Sequence, residues 1–183
     1  MLTREEYKQW PIANRIGRLE RTAADVAEAL AGRGEPELAR RPAPDSWSPK
    51  EVVCHLRDIE EQFILRFRSM LAMDNPKFLT LGDMPPNREE WGLAEGDALP
   101  LDPARWAEER EYTRQDAGLA LANFGRRRHE TLAFLSRLKP EQWGRGSTHT
   151  TLGPMDYGDW VALVAAHDDN HLDQLKKALN AGR

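Results

Sequence analysis

Apolar residues recur every three or four positions through four long segments of the chain, which is the spacing of one buried face of an α-helix. No run of alternating apolar and polar residues bounded by turns predicts a convincing strand. The fold class we predict is therefore all-α, a four-helix bundle with long connections. The 183 residues, 40% of them apolar, suffice for one core, so we expect residues 1–183 to form a single domain.

The first predicted helix starts near Pro11, a residue tolerated in a first turn, and stops at Gly32. Ahead of it, Thr3 to Glu6 fits a capping box for a short preceding turn, and the alternative is one longer helix kinked at Pro11. The apolar stripe of this helix comprises Ile12, Ile16, Leu19, Ala23, Val26 and Leu30.

The other three helices have signals of their own. Ser48-Pro49-Lys50-Glu51 supplies a serine cap, a first-turn proline and a glutamate that bonds back, and this helix ends before Asp74-Asn75-Pro76. The third, predicted to be the longest, runs from Asp102 to the residues before Pro140. The fourth follows a connection at 141–154. The apolar stripe of the second helix comprises Val52, Leu56, Ile59, Phe63, Phe67 and Met70. That of the third comprises Trp106, Tyr112, Leu119, Phe124, Thr131, Leu135 and Leu138. That of the fourth comprises Val161, Val164, Leu172, Leu175 and Leu179.

Charge and composition exclude several classes of partner. With 26 basic and 30 acidic residues the net charge is −4, so no general field favours nucleic acid. The apolar runs are as short as Val161 to Ala166, far below the roughly 20 residues of a membrane span. The N-terminus lacks a signal peptide and Cys54 is the single cysteine, which predicts a cytoplasmic location. We expect a small-molecule substrate, no nucleic acid and no membrane.

Two histidines on the fourth helix are the strongest chemical signal. His167 and His171 are four residues apart and fall within the apolar stripe, so both imidazoles share one face of the helix. His55 borders the stripe of the second helix, and a bundle can bring it opposite the pair. Three neutral imidazoles leave an open position, as in catalytic zinc sites. The predicted metal site is therefore His55, His167 and His171, with zinc, nickel or iron as the divalent metal.

Four polar residues are candidates for supporting that site. Asp168 either orients a histidine or lies on the helix surface, and Gln174 either lines the site or faces water. Glu51 is four residues before His55, yet its capping role already explains it. His149 lies in the loop before the fourth helix and can approach the mouth of the site. The sequence between the paired histidines lacks the glutamate of HExxH proteases, which disfavours a metalloprotease.

Motifs in two regions resemble one family. Trp47-Ser48-Pro49-Lys50-Glu51 leads into His55-Leu56, and His167 to Leu175 reads HDDNHLDQL. These motifs resemble the DinB-like (DinB/YfiT) metalloenzymes over nearly the whole chain. The resemblance implies a four-helix bundle whose metal is held by His55, His167 and His171. Characterised members of that family include S-transferases that use low-molecular-weight thiols, and a mycothiol-dependent maleylpyruvate isomerase.

Two classes of function remain open at this point. The first is a metal-dependent enzyme of the thiol S-transferase or hydrolase type, with a low-molecular-weight thiol as a cosubstrate in the transferase case. The alternative is a non-catalytic metal- or ligand-binding stress protein, since no residue besides the histidines is a compelling acid, base or nucleophile. The loop at 74–101, with Met84-Pro85-Pro86 and Trp91, is predicted to shape the entrance. The resemblance also implies a homodimer.

Overall fold

Seven α-helices and three short strands make up the part of the chain that the computed structural model describes, namely residues 2–79, 87–95 and 102–181. The helices are α1 (Arg4–Lys8), α2 (Ile12–Leu30), α3 (Glu35–Leu38), α4 (Pro49–Ala72), α5 (Pro103–Glu109), α6 (Ala117–Leu135) and α7 (Tyr157–Asn180). The strands are β1 (Lys77–Phe78), β2 (Gly146–His149) and β3 (Gly153–Asp156).

Helices α2, α4, α6 and α7 pack against one another as the bundle. The predicted all-α, four-helix architecture is confirmed. Every predicted stripe residue of α4 and α7 is buried, and burial of each large apolar side chain contributes about 1.5–3 kcal/mol. Helix α4 begins at the predicted cap. The Ser48 hydroxyl accepts a hydrogen bond from the Glu51 backbone amide, and the Glu51 side chain accepts one from the Ser48 backbone amide. The bundle therefore fixes the helices that carry the three histidines.

A small sheet at one end of the bundle corrects the expectation that the chain has no strand. β2 pairs in parallel with β1 and antiparallel with β3. The strands are two to four residues long, too short for alternation to be recognised in the sequence. Gly153 begins β3 with φ 72°, a conformation that glycine adopts without strain.

The prediction that the third helix is continuous is wrong. Helices α5 and α6 are separated by a short 3₁₀ turn at Tyr112–Arg114, because Glu111 has φ 49° and Asp116 caps a new helix. The break changes the phase of the stripe, so Leu119, predicted to be buried, is 62% exposed. The longest helices are instead α4 and α7, with 24 residues each.

The N-terminal alternatives resolve as two elements. α1 is a separate short helix with the predicted capping box at Thr3, and Pro11 precedes the first turn of α2. Trp91 lies in a 3₁₀ turn at Glu89–Trp91, whereas Met84-Pro85-Pro86 lies outside the described residues. Among the helices that the structure describes, none has both the length and the apolar character to cross a membrane.

Candidate metal centre

The three predicted ligands come together between α4 and α7. His55 lies in the second turn of α4, and His167 and His171 lie in successive turns of α7. One ring nitrogen from each histidine lies within 4.8 Å of the others. His55 is 2% exposed and the other two are partly buried. The sequence thus anticipated a cluster in which His55 is 112 positions away from His167 in the chain.

The nitrogen spacing suits a shared ion. The Nε2 atoms of His55 and His167 are 3.2 Å apart. Two nitrogens that each lie 2.0–2.1 Å from a tetrahedral metal are about 3.3 Å apart, so these atoms are at ligand spacing. The ring of His171 completes the group, with its centroid 4.5 Å from that of His55 and 4.4 Å from that of His167.

Hydrogen bonding and burial favour the neutral form of His55 and His171, which is the form of an imidazole that binds metal. The side-chain oxygen of Gln174 lies 2.8 Å from Nδ1 of His171 and accepts a hydrogen bond from it. The proton is therefore on Nδ1, which leaves the Nε2 lone pair free. Burial, reinforced by His167, lowers the pKa of His171 to about 3. Burial and the two neighbouring histidines lower the pKa of His55 well below its ordinary value. Both rings are neutral at pH 7.

Two buried nitrogens at the site have no partner. The Nδ1 atoms of His55 and His167 form no hydrogen bond with any described residue. Buried polar atoms are normally paired, so exceptions such as these concentrate at functional sites. A metal at the Nε2 atoms would leave these two Nδ1 groups without an acceptor, so it is the spacing of the Nε2 atoms and the three-imidazole donor set that fit a metal.

Aromatic rings enclose the cluster. The Trp47 ring centroid lies 4.9 Å from that of His55 and 6.3 Å from that of His171. The Phe63 ring meets His167 edge to face at 5.6 Å. An apolar wall of this kind lowers the local dielectric and strengthens any charge interaction inside it.

Asp168, one of the candidate supporting residues, is fully buried rather than on the helix surface. Its carboxylate accepts hydrogen bonds from Arg128 Nη1 at 2.6 Å and from the Thr22 hydroxyl at 2.6 Å. Arg128 also donates to Glu60 at 2.7 Å. The nearest Asp168 oxygen is 3.9 Å from Nδ1 of His167, which is beyond hydrogen-bond range. Asp168 is therefore committed to an ion cluster beside the site.

The remaining candidates have different surroundings. Glu51 caps α4 and pairs with Arg41, as its capping pattern predicted. His149 lies on β2, where Nδ1 accepts the backbone amides of Thr151 and Leu152 and the ring lies 5.6 Å from Trp160. Gln174 is the candidate whose side chain forms a hydrogen bond with a site histidine, His171.

A cavity of about 580 Å³ adjoins the cluster through His171. Trp47 and Gln174 line it beside that histidine, with Asn170 and Lys177 further along α7. A volume of this size accepts a small organic molecule. The cavity provides a route from the protein surface to one of the three histidines.

Sequence reasoning missed two contributors to this region. Trp47 directly precedes the Ser48 cap, and a large apolar residue at that position commonly packs against the first turns of its helix, so the hydrophobic staple could have identified it. Arg128 is the second: the charged run at 126–129 has the composition of a solvated helix face, and His129 is exposed, but Arg128 is buried. The signal was its spacing, four residues after Phe124 and three before Thr131, within the core stripe.

Comparisons with known proteins agree with the fold described above. A family profile described as the DinB superfamily matches residues 18–175. Among solved structures, YfiT from Bacillus subtilis, described as a probable metal-dependent hydrolase with an unusual four-helix bundle topology, matches with a TM-score of 0.74. The alignment covers 97% of this chain and 88% of that chain at 20% identity, a likeness that establishes the fold. No curated protein matches the sequence.

Proposed function

The chain belongs to the DinB superfamily, and we propose that it is a metal-dependent hydrolase of a small-molecule substrate, with His55, His167 and His171 as the metal ligands. The observation that carries this proposal is the convergence of three imidazoles, with no carboxylate among the described residues in the group. Three nitrogen ligands leave a coordination position for a water or substrate atom. The description of YfiT as a probable metal-dependent hydrolase adds support.

The chain's own residues have defined tasks in this proposal. When bound, a divalent metal supplies Lewis acidity that brings the pKa of a coordinated water toward neutrality. The three histidines hold that ion, and Gln174 fixes the ring orientation of His171 through its 2.8 Å hydrogen bond. Trp47 and Phe63 exclude bulk water from two sides. Substrate reaches the site through the cavity beside His171.

A second candidate, a thiol S-transferase, is favoured because no carboxylate is free to act as a general base at the described site. Asp168 is the carboxylate nearest to His167, and Arg128 and Thr22 occupy it. Deprotonation of the nucleophile then depends on the metal. A thiol suits this arrangement even better than water, because its ordinary pKa is only about 8.5. A low-molecular-weight thiol cosubstrate would enter by the same cavity. Cobalt-loaded protein mixed with such a thiol should then develop a sulfur-to-metal absorption band.

Metal analysis tests the ligand assignment. Wild type loaded with zinc, nickel or iron and then desalted should retain one ion per chain, and each of His55→Ala, His167→Ala and His171→Ala should lose it. His129→Ala is the matched control, because His129 is exposed on α6 and outside the cluster. Undiminished metal content in all three site variants would overturn the assignment.

Activity separates the enzyme from the non-catalytic alternative. The loaded protein is screened against ester and amide substrates, and separately against electrophiles with added thiol. Turnover that disappears on chelation and returns on reloading supports the hydrolase or the transferase according to whether thiol is required. One tightly bound ion without turnover in either screen would favour a metal-binding stress protein.

Two expectations about cellular context stay predictions. The chain is expected to act in the cytoplasm and to form a homodimer through exposed helix faces. Light scattering at high protein concentration tests the dimer, and a purely monomeric mass would reject it.

A further inference from the structure

Arg66 is a buried cation without an ion-pair partner among the residues that the structure describes. It lies on α4 and is 6% exposed, and its Nη2 atom makes no hydrogen bond in the described structure. Other buried arginines differ: Arg128 pairs with Glu60 and Asp168, and Arg18 pairs with Asp169. Buried charges are costly unless they are paired, so an isolated guanidinium requires an explanation.

Aromatic rings surround this guanidinium. Its central carbon lies 5.1 Å from the Trp160 ring centroid and 5.8 Å from that of Phe63. Burial lowers the pKa of Arg66 to about 10, so the group stays charged at neutral pH. Cation–π contacts compensate part of the hydration that the guanidinium loses on burial. They use the faces of the aromatic rings and do not satisfy the N–H donors of the guanidinium. The Nη2 donor, which is itself buried, is therefore left without a hydrogen bond in the described structure.

The Arg66 cavity is the space of about 340 Å³ that this side chain lines. Lys77, Gln62 and Ser69 contribute polar groups, and Phe78 and Trp106 contribute apolar surface. No acidic residue lines it among those that the structure describes. The Lys77 ammonium donates to the Glu90 carbonyl and forms no ion pair with a described residue. The described lining of the cavity therefore contains two cations and no counter-charge.

We propose that the Arg66 cavity binds a small oxyanion, the carboxylate or phosphate group of a small molecule. A guanidinium offers a planar fork of donors that matches either group, and Lys77 adds a second cation at the more exposed side. Phe78 and Trp106 provide contact for a small carbon body. The proposal does not depend on the metal, because Arg66 lies eleven residues after His55, about 16 Å along the helix axis.

Calorimetric titration with inorganic phosphate and with benzoate tests the site. Wild type should bind at least one of the two anions, and Arg66→Met, which keeps an apolar stem and removes the charge, should bind it about tenfold more weakly or worse. Arg68→Met is the matched control: it removes a positive charge two residues away on the exposed side of the same helix, so affinity should be preserved.

Thermal melting distinguishes a binding role from a structural one. Without anion, Arg66→Met should melt at or above the wild-type temperature, because an unpaired buried charge is gone. Phosphate or benzoate should raise the melting temperature of wild type and of Arg68→Met but not of Arg66→Met. If Arg66→Met does not fold, Arg66→Lys replaces it, and native circular dichroism with weakened binding is expected.

Three outcomes would overturn the proposal. The first is that neither anion binds wild type. The second is equal weakening in Arg66→Met and Arg68→Met, which indicates a non-specific ionic effect. The third is a strongly lowered melting temperature in Arg66→Met together with no anion effect on wild type, which assigns Arg66 to packing against Trp160 and Phe63.

Discussion

Consecutive residues of α7 belong to two buried polar regions that are built in opposite ways. His167 is in the histidine cluster with His55 and His171, whereas Asp168 is in the ion cluster with Arg128, Glu60 and Thr22. In the ion cluster, charged groups meet opposite charges at 2.6–2.7 Å. In the histidine cluster, by contrast, imidazole rings face one another and no opposite charges pair. Both regions contain buried atoms without a hydrogen bond in the described structure, namely Nδ1 of His55 and His167 in one and Glu60 Oε1 and Arg128 Nε in the other.

This difference separates a role in the fold from a role in binding. The ion cluster joins α2, α4, α6 and α7 through Thr22, Glu60, Arg128 and Asp168, so each helix supplies a group that the others need. The histidines gain little from one another, because the Nε2 atoms of His55 and His167, 3.2 Å apart, can share at most one hydrogen bond. Their convergence without mutual stabilisation supports the proposed metal site.

Arg128→Met should produce the largest effect, because it leaves Glu60 and Asp168 buried without a cation. Loss of one partner of a buried pair costs about 3–5 kcal/mol, so the free energy of unfolding should fall by that amount. Chemical denaturation measures it. Arg126→Met, on the exposed face of the same helix, should change stability by less than about 0.5 kcal/mol. Equal effects in the two variants would contradict a structural ion cluster.

His171→Ala should reverse the pattern and affect binding more than folding. We expect loss of the bound metal, whereas the metal-free variant should differ in unfolding free energy by no more than about 1–2 kcal/mol from metal-free wild type. Chelated wild type should likewise stay folded, since the apolar stripes form the core. Circular dichroism before and after chelation checks this. Unfolding on chelation would mean that the histidines are a structural clamp.

Gln174→Ala should have an intermediate effect, because it leaves the ligands in place and removes the acceptor for Nδ1 of His171. Groups that orient a ligating histidine contribute about 10- to 100-fold in metal affinity. Competition against a chromogenic chelator measures the change. Asn170→Ala is the control, since that side chain is exposed beside the same cavity. Weakening in both variants to the same extent would remove Gln174 from the site.

Cys54→Ala should produce the smallest effect, although Cys54 adjoins His55 in the sequence. Burial raises the pKa of the Cys54 thiol to about 11, so below that pH it is protonated and a poor nucleophile. We expect unchanged metal content and activity, and a stability loss of about 1 kcal/mol. Alkylation of native wild type at pH 8 should be slow and should accelerate on unfolding. Rapid labelling of the native protein would show an accessible, reactive thiol.

Local patterns in the sequence predicted α2, α4 and α7 and the shared face of two histidines. Caps such as Ser48 with Glu51, the proline and glycine signals, and the spacing of apolar residues act within one or two turns, so they can be recognised without knowledge of the fold. The same patterns did not reveal the break between α5 and α6. His167 and His171 share a face for the same local reason, and His55 lies beside them because its apolar stripe faces the same core.

Features that depend on partners far away in the chain arise only in the folded protein. Asp168 is buried because Arg128 and Thr22, 40 and 146 positions away, neutralise and bond it. Arg66 differs, since the described elements around it bring rings rather than carboxylates. The strands at 77–78 and 146–149 exist because each completes the other's hydrogen bonds. Local spacing specifies which residues face inward, and only packing determines which charge or donor each of them meets.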